Sequence, residues 1–262
     1  VGSMRNEGIE FSINAGLVAK KDFRLDMTAN VSHNINQVLK LTQIPDSTSA
    51  GILLGGISGG IGNTVQYHQT GLAPFTYYVF KQIYDADGKP IEGAFADLNS
   101  DGVINNDDKY FYKDPYADIN MGATLNLRYK AFDLSVAGRA SIGNYVYNNN
   151  ASTASIMSAT QLNRLDNLHA GFLNHEFNTI SDKNFLSDYF IQNASFFRLD
   201  NVTLGYTIDN AMMKSPIRLF VSADNLLVVT DYTGIDPEIS GGLDNNFYPR
   251  SRVVSIGVDL NF

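Results

Sequence analysis

Apolar and polar residues alternate one by one through several stretches of this chain, and that period constrains the fold more than any other feature. Successive side chains of a strand point to opposite faces, so sustained alternation builds a sheet with one apolar and one polar face. The last run, Ser255-Ile256-Gly257-Val258-Asp259-Leu260-Asn261-Phe262, carries the pattern to an aromatic carboxy-terminus. Soluble domains usually end in a polar, frayed tail. The closing strand of an outer-membrane β-barrel ends as this chain does, and pairing it with the first strand removes the sheet edge. The competing reading is the terminal strand of a soluble sandwich.

The pattern recurs. Ile9, Phe11, Ile13, Ala15 and Leu17 share one parity; Phe23, Leu25, Met27, Ala29 and Val31 share another. Ile119, Met121, Ala123, Leu125, Leu127 and Tyr129 precede a tight turn at Lys130-Ala131, then Phe132, Leu134, Val136, Gly138, Ala140 and Ile142 follow. Val202, Leu204, Tyr206 and Ile208 share a face, with Phe197 and Leu199 on the other parity, which predicts a bulge near Asn201. Ile217, Leu219, Val221 and Ala223 form a sixth run before the terminal one. About 9–11 residues is the length at which a tilted strand crosses hydrocarbon.

The connections alternate too. Those at 19–22, 130–131 and 209–216 are short, whereas those at about 40–116, 147–188 and 231–248 are long and rich in Gly, Asn and Asp. Short periplasmic turns and long outer loops are the habit of outer-membrane barrels. Seven spans is an odd number where single-chain bacterial barrels have even ones. The expectation is therefore an all-β, antiparallel transmembrane barrel of which residues 1–262 are a C-terminal piece, with the first strand's partner upstream. Within the loops, Thr76–Ile83 reads as a short strand and Ala151–Leu173 as one or two short helices.

Composition fits this reading. Charged residues are 18% and apolar ones 44%, and the polar remainder is mostly uncharged. The absence of cysteine excludes disulfides and thiolate metal sites. A net charge of −8 argues against nucleic acid. No apolar run is long enough for a transmembrane helix, which says nothing against a barrel.

One loop has the spacing of a calcium site. Asp97, Asn99, Asp101, Asn105 and Asp108 offer side-chain oxygens, Val103 a carbonyl, and Gly102 the sharp turn. The same side chains could cap backbone N–H groups in a polar turn. Its role in either case is rigidity. Loop aromatics Tyr67, Phe75, Tyr77, Tyr78, Tyr110 and Tyr112 could stack on sugar rings or peptide side chains, or pack within the loops. The four histidines, His33, His68, His169 and His175, share no metal-ligand spacing and read as solvated. Gly51 to Gly62 lacks the ending of a phosphate loop and reads as a flexible outer loop. No nucleophile elbow appears, so no enzyme is expected. Gly257, Leu260 and Phe262 are the expected barrel-insertion signal.

Several stretches resemble the C-terminal part of the SusC/RagA-type TonB-dependent transporters. They include residues 2–10, Asp97-Leu98-Asn99-Ser100-Asp101-Gly102, and Tyr129-Lys130-Ala131-Phe132-Asp133-Leu134-Ser135. The most specific are Ala194-Ser195-Phe196-Phe197-Arg198-Leu199-Asp200-Asn201-Val202-Thr203-Leu204-Gly205-Tyr206, then Ser222-Ala223-Asp224-Asn225-Leu226, then Gly234-Ile235-Asp236-Pro237-Glu238. The resemblance implies a barrel of about 22 strands, with a plug domain and a TonB-contacting segment that these residues do not contain. It also implies location in the bacterial outer membrane, in contact with its lipid, and a SusD-like surface lipoprotein as lid. The implied activity is energised import of oligosaccharides or peptides. The rival reading is a soluble, calcium-stabilised β-sandwich that binds glycans.

Overall fold

The computed structural model describes residues 2–42, 51–157, 168–208, 216–245 and 247–260. Each alternating run is a strand. Numbering these wall strands in chain order, they are β1 (Ser3–Lys20), β2 (Phe23–Lys40), β3 (Ile119–Tyr129), β4 (Phe132–Ile142), β5 (Phe196–Ile208), β6 (Ile217–Thr230) and β7 (Val253–Leu260). They form one antiparallel sheet in sequence order, with β1 and β7 at its edges.

The register matches apolar row to apolar row. Val31 lies between Phe11 and Met121, Leu125 between Met27 and Val136, and Leu204 between Leu134 and Val221. The large apolar side chains thus share one face, and that face is bare: Ile9 is 77% exposed and Ile256 83%. A sandwich would bury this face against a second sheet, so the sandwich reading is set aside. An exposed apolar band of this extent belongs in lipid. The opposite face is polar and cross-linked, as where Thr28 donates to Asn14 at 2.7 Å and Ser135 to Asn126 at 2.9 Å.

Two bulges keep the apolar rows continuous. The expected one falls at Asp200, where the register slips on both sides of β5 and brings Phe197 and Leu199 to the face of Val202 and Leu204. The other was not expected. The β1–β2 register shifts between Gly16 and Val18, so Val18 rather than Leu17 stands opposite Leu25.

The long connections fold into a layer at the end of the sheet opposite the short turns. Ile52–Gly56, Thr64–His68, Thr76–Phe80 and Lys109–Phe111 make a four-stranded sheet. Gln82–Tyr84 pairs with Pro90–Phe95, and Tyr145–Tyr147 with Ile191–Asn193. Short helices cover Asn149–Ala154, Phe172–His175 and Asp182–Phe185. The expected helical segment Ala151–Leu173 overlaps the first two, and its middle, 158–167, lies outside the described residues, as do most of the turn at 209–216 and Phe262. Tyr77, Val79 and Phe80 of the first loop pack with Tyr147, Phe177, Phe185 and Phe190 of the second, and Leu243 of the third packs against them. The Tyr77 hydroxyl, with one proton shared between the carbonyls of Gly242 (2.7 Å) and Tyr145 (2.9 Å), ties all three together. The glycine-rich run expected to be a flexible loop is part of this layer. Ile52–Gly56 is a strand, and Gly59 lies so close to the Phe185 ring that a Cβ would stand 2.4 Å from it.

Candidate functional site

The three most specific sequence motifs meet in space. Arg198 of β5 points to the polar inner face and is 2% exposed. Its guanidinium reaches Asp236 at 2.7 Å and Asn225 at 2.6 Å. Glu238 accepts from Arg139 of β4 at 2.8 Å and from Arg250 at 2.9 Å, and Arg250 also lies 3.2 Å from Asp236. Asp200, the bulged residue, stands 3.6 Å from Arg139. Three arginines and three carboxylates therefore balance where the third loop meets the inner wall.

Local backbone makes this possible. The bulge at Asp200 faces a slip in β6 at Asn225, which adopts a left-handed φ of 51°. Asn225 then donates to the carbonyls of Arg250 and Ser251. The network clamps the third loop onto the wall. Removing one member of a buried pair strands its partner's charge, at a cost of about 3–5 kcal/mol.

A second ion pair lies on the inner face near the short turns. Arg218 of β6 grips Asp133 with two bonds, 2.9 and 2.6 Å, and reaches Asp259 of β7 at 2.9 Å. It crosses over Gly205, where a Cβ would come within 2.6 Å of both groups. Phe220, beneath the Arg218 guanidinium at 5.1 Å, lies over Gly257, where a Cβ would meet its ring at 2.2 Å. Gly257, named as part of an insertion signal, thus has a packing role. Leu260 pairs with Ile217 on the outer face.

The aspartate loop holds itself together with its own oxygens. Asp97 accepts from the backbone N–H of Ser100 (2.6 Å), Asp101 (3.3 Å) and Gly102 (2.8 Å), while Asp101 accepts from Val103 at 2.8 Å. Asn105 and Asp108 form a capping box around a short 3-10 turn. Hydrogen bonds from the Asn105 and Leu98 N–H groups hold the Asp108 carboxyl below the usual range against the opposing effect of its burial. Among the described residues no three acidic or histidine side chains are grouped to hold a metal.

Of the aromatic candidates, Tyr67 and Tyr78 come together. Their rings and that of Phe111 stand 4.9–5.5 Å apart, half-buried on the outer face of the four-stranded loop sheet, beside exposed Leu53. Tyr77 is fully buried in the loop core, so it does not belong to a contact surface. Phe75, at a φ of 59°, packs on His68, and Tyr110 donates to Asp188 at 2.6 Å. Tyr112 lies apart from the platform, exposed beside Tyr110 and Tyr145.

His175 departs from its solvated reading, whereas His33 is exposed and takes a main-chain partner. His33 stands in the outer row of β2, opposite Ile9 and Ile119, and its Nδ1 donates to the Asp118 carbonyl at 2.6 Å. His175 is 3% exposed, and burial lowers its pKa to about 4. Its Nε2 lies 2.7 Å from the Ser155 hydroxyl, a spacing that suggests a nucleophile and base. The tautomer excludes this. Nδ1 accepts the Phe177 N–H, so Nε2 carries the proton and donates to Ser155, which in turn donates to the Ala151 carbonyl. Ser155 is also fully buried.

The comparisons agree with this geometry. The chain is 40% identical to the TonB-dependent receptor SusC of Bacteroides thetaiotaomicron over 270 aligned residues, covering all of this chain and 27% of SusC. It is 29% identical to a TonB-dependent receptor of Formosa agariphila, covering 29% of that protein. It superposes on the RagAB peptide importer in its open-open state with a TM-score of 0.75 at 23% identity, covering all of this chain and 29% of that one. No protein-family model matches. The relatives are receptors, not enzymes, and the wall is built for the outer membrane. Over its whole length the chain matches a portion of the outer-membrane barrel of the SusC/RagA-type TonB-dependent receptors.

Proposed function

We propose that the whole protein imports oligosaccharides or peptides across the outer membrane, energised through TonB and lidded by a SusD-like lipoprotein. The observation that carries this reading is the 40% identity to SusC in an alignment that spans the whole chain. In the whole protein β1 and β7 pair with strands outside this sequence, because an unpaired backbone group in hydrocarbon costs several kcal/mol. The wall is then passive. The Tyr67–Tyr78–Phe111 platform is the loop surface suited to a sugar ring, a peptide side chain or the lid.

The test is growth of a strain lacking the gene for the whole protein. It should fail on one oligosaccharide or peptide as sole source and recover with the wild-type gene, but not in a background without TonB. Recovery without TonB would overturn the energised reading. Full recovery with Tyr67→Ala and Tyr78→Ala together would remove the platform from it.

A further inference from the structure

The lipid-facing wall is not smooth. On the outer face, Ala29, Ala123 and Gly138 stand side by side on β2, β3 and β4. They floor an apolar groove of about 400 Å³, walled by Phe11 and Ile13 on one side and Phe197 on the other. Toward the loops, the outer row of β2 runs on from Val31 through His33 and Ile35 to Gln37, and that of β1 from Ile9 to Glu7 and Arg5, so polar and charged groups enter it there. There a second cavity of about 400 Å³ opens between β2 and the loop entering β3, lined among others by Arg5, Glu7, His33, Gln37, Asp114 and Asp118.

That upper cavity sits at a gap in the sheet. On its β3 side, β2 pairs up to His33 opposite Ile119, and bonding resumes at Val38, whose N–H and carbonyl engage Leu72 and Gly71. By the two-residue alternation of a strand, the main-chain groups of Asn34 and Asn36 point into the same gap. Both residues line the cavity.

We infer that groove and cavity together form a site for one outer-leaflet glycolipid, with an acyl chain in the groove and the sugar headgroup in the cavity. The groove is continuous with the lipid face, so an acyl chain is the occupant that face supplies. The cavity sets the headgroup. It offers main-chain groups, Asn and Gln amides and the carboxylates of Glu7, Asp114 and Asp118, while Arg5 is engaged by Glu7 at 3.3 Å and by Gln37 at 3.0 Å. A phosphate is repelled by such a lining, whereas the hydroxyl and amide groups of a sugar match it. The inference rests on the outer-membrane location, not on import.

The test uses the full-length protein extracted from its own outer membrane in mild detergent and washed, with bound lipid identified by native mass spectrometry. The wild type should retain a glycolipid. Ala123→Phe fills the groove and should lower retention at least tenfold, as should the milder Ala29→Leu. Ala223→Phe, an outward position away from the groove, should leave retention unchanged. His33→Leu removes a polar side chain at the mouth of the cavity and should lower glycolipid retention, while the carboxylates left in place still keep glycerophospholipid out. Heat-modifiable migration confirms that each variant forms a barrel. Equal retention in Ala123→Phe, Ala29→Leu and wild type would overturn the site. A wild type that holds only glycerophospholipid would overturn the headgroup assignment.

Discussion

The wall and the loop layer treat apolar side chains in opposite ways. In the wall, Ile9 and Ile256 stand naked, and the polar face carries the cross-strand bonds. In the loops, Tyr77, Tyr147 and Phe177 are fully buried and polar groups serve to knit the core. The two regions are made for different solvents. The loop layer folds by removing apolar surface from water. The wall leaves that surface for lipid and gains its order from the hydrogen-bonded ladder. The Arg198 network joins the two, which makes it the first place to test whether they are separable.

Arg198→Ala should have the largest effect. It leaves Asp236 without its shortest partner and should cost about 3–5 kcal/mol. The loss should be local: limited proteolysis should cut the 231–251 segment faster while heat-modifiable migration of the barrel persists. Loss of the barrel as well would show that wall and loops fold as one unit.

The wall is sharpened by a pair of adjacent substitutions. Leu134 faces outward and Ser135 inward. Leu134→Arg should cost about 2–4 kcal/mol near mid-bilayer, and Ser135→Arg little. Equal costs in a lipid folding assay would mean that the outer face does not meet lipid.

The wall was legible because its solvent imposes period two on every span. Even the bulge at Asp200 could be anticipated, since Phe197 and Leu199 break parity with Val202 and Leu204. The bulge before Val18 could not, because Leu17 and Val18 are both apolar and no break is visible. The loop core has no period at all. Tyr77, Tyr147 and Phe177 come from distant segments and meet only in three dimensions. The motifs around Arg198, Asn225 and Asp236 were recognisable as words. Their function as one clamp depends on bonds spanning 27 and 38 residues, which no local pattern encodes. A charged residue flanked by apolar ones beside a parity break was the signal available.

Acidification should separate the regions again. The folded pKa of His175 lies at about 4, below its ordinary 6.5, so the unfolded loop binds a proton that the folded one refuses. Stability is then complete above about pH 6.5 and falls as pH drops toward 4, by at most about 3 kcal/mol. Glu92 opposes this shift, while His169 and Lys89 reinforce it. Loop proteolysis should accelerate across that window in the wild type and stay flat in His175→Gln, with the barrel unchanged in both. A slope that survives His175→Gln would assign the effect to another group.

The smallest effect concerns the aspartate loop, where the loop layer could borrow a cation as the wall borrows lipid. Calcium at Asp97, Asn99, Asp101, Asn105 and Asp108 is a proposal that rests on their spacing. Asp97 and Asp101 already accept four backbone N–H groups, so an incoming ion must displace bonds that hold the turn. Such competition places the affinity in the weak range of extracellular modules, about 0.1–1 mM. At about 2 mM calcium, mass action then stabilises the folded loop by only about 0.6–1.8 kcal/mol. Thermal unfolding of the loop layer in the full-length protein, followed by proteolysis with calcium against a chelator, should show a shift of that size. Asp97→Asn should abolish the shift while retaining most of the loop's own hydrogen bonds. A wild type that unfolds identically under both conditions would leave the turn to its internal bonds alone and remove calcium from the account.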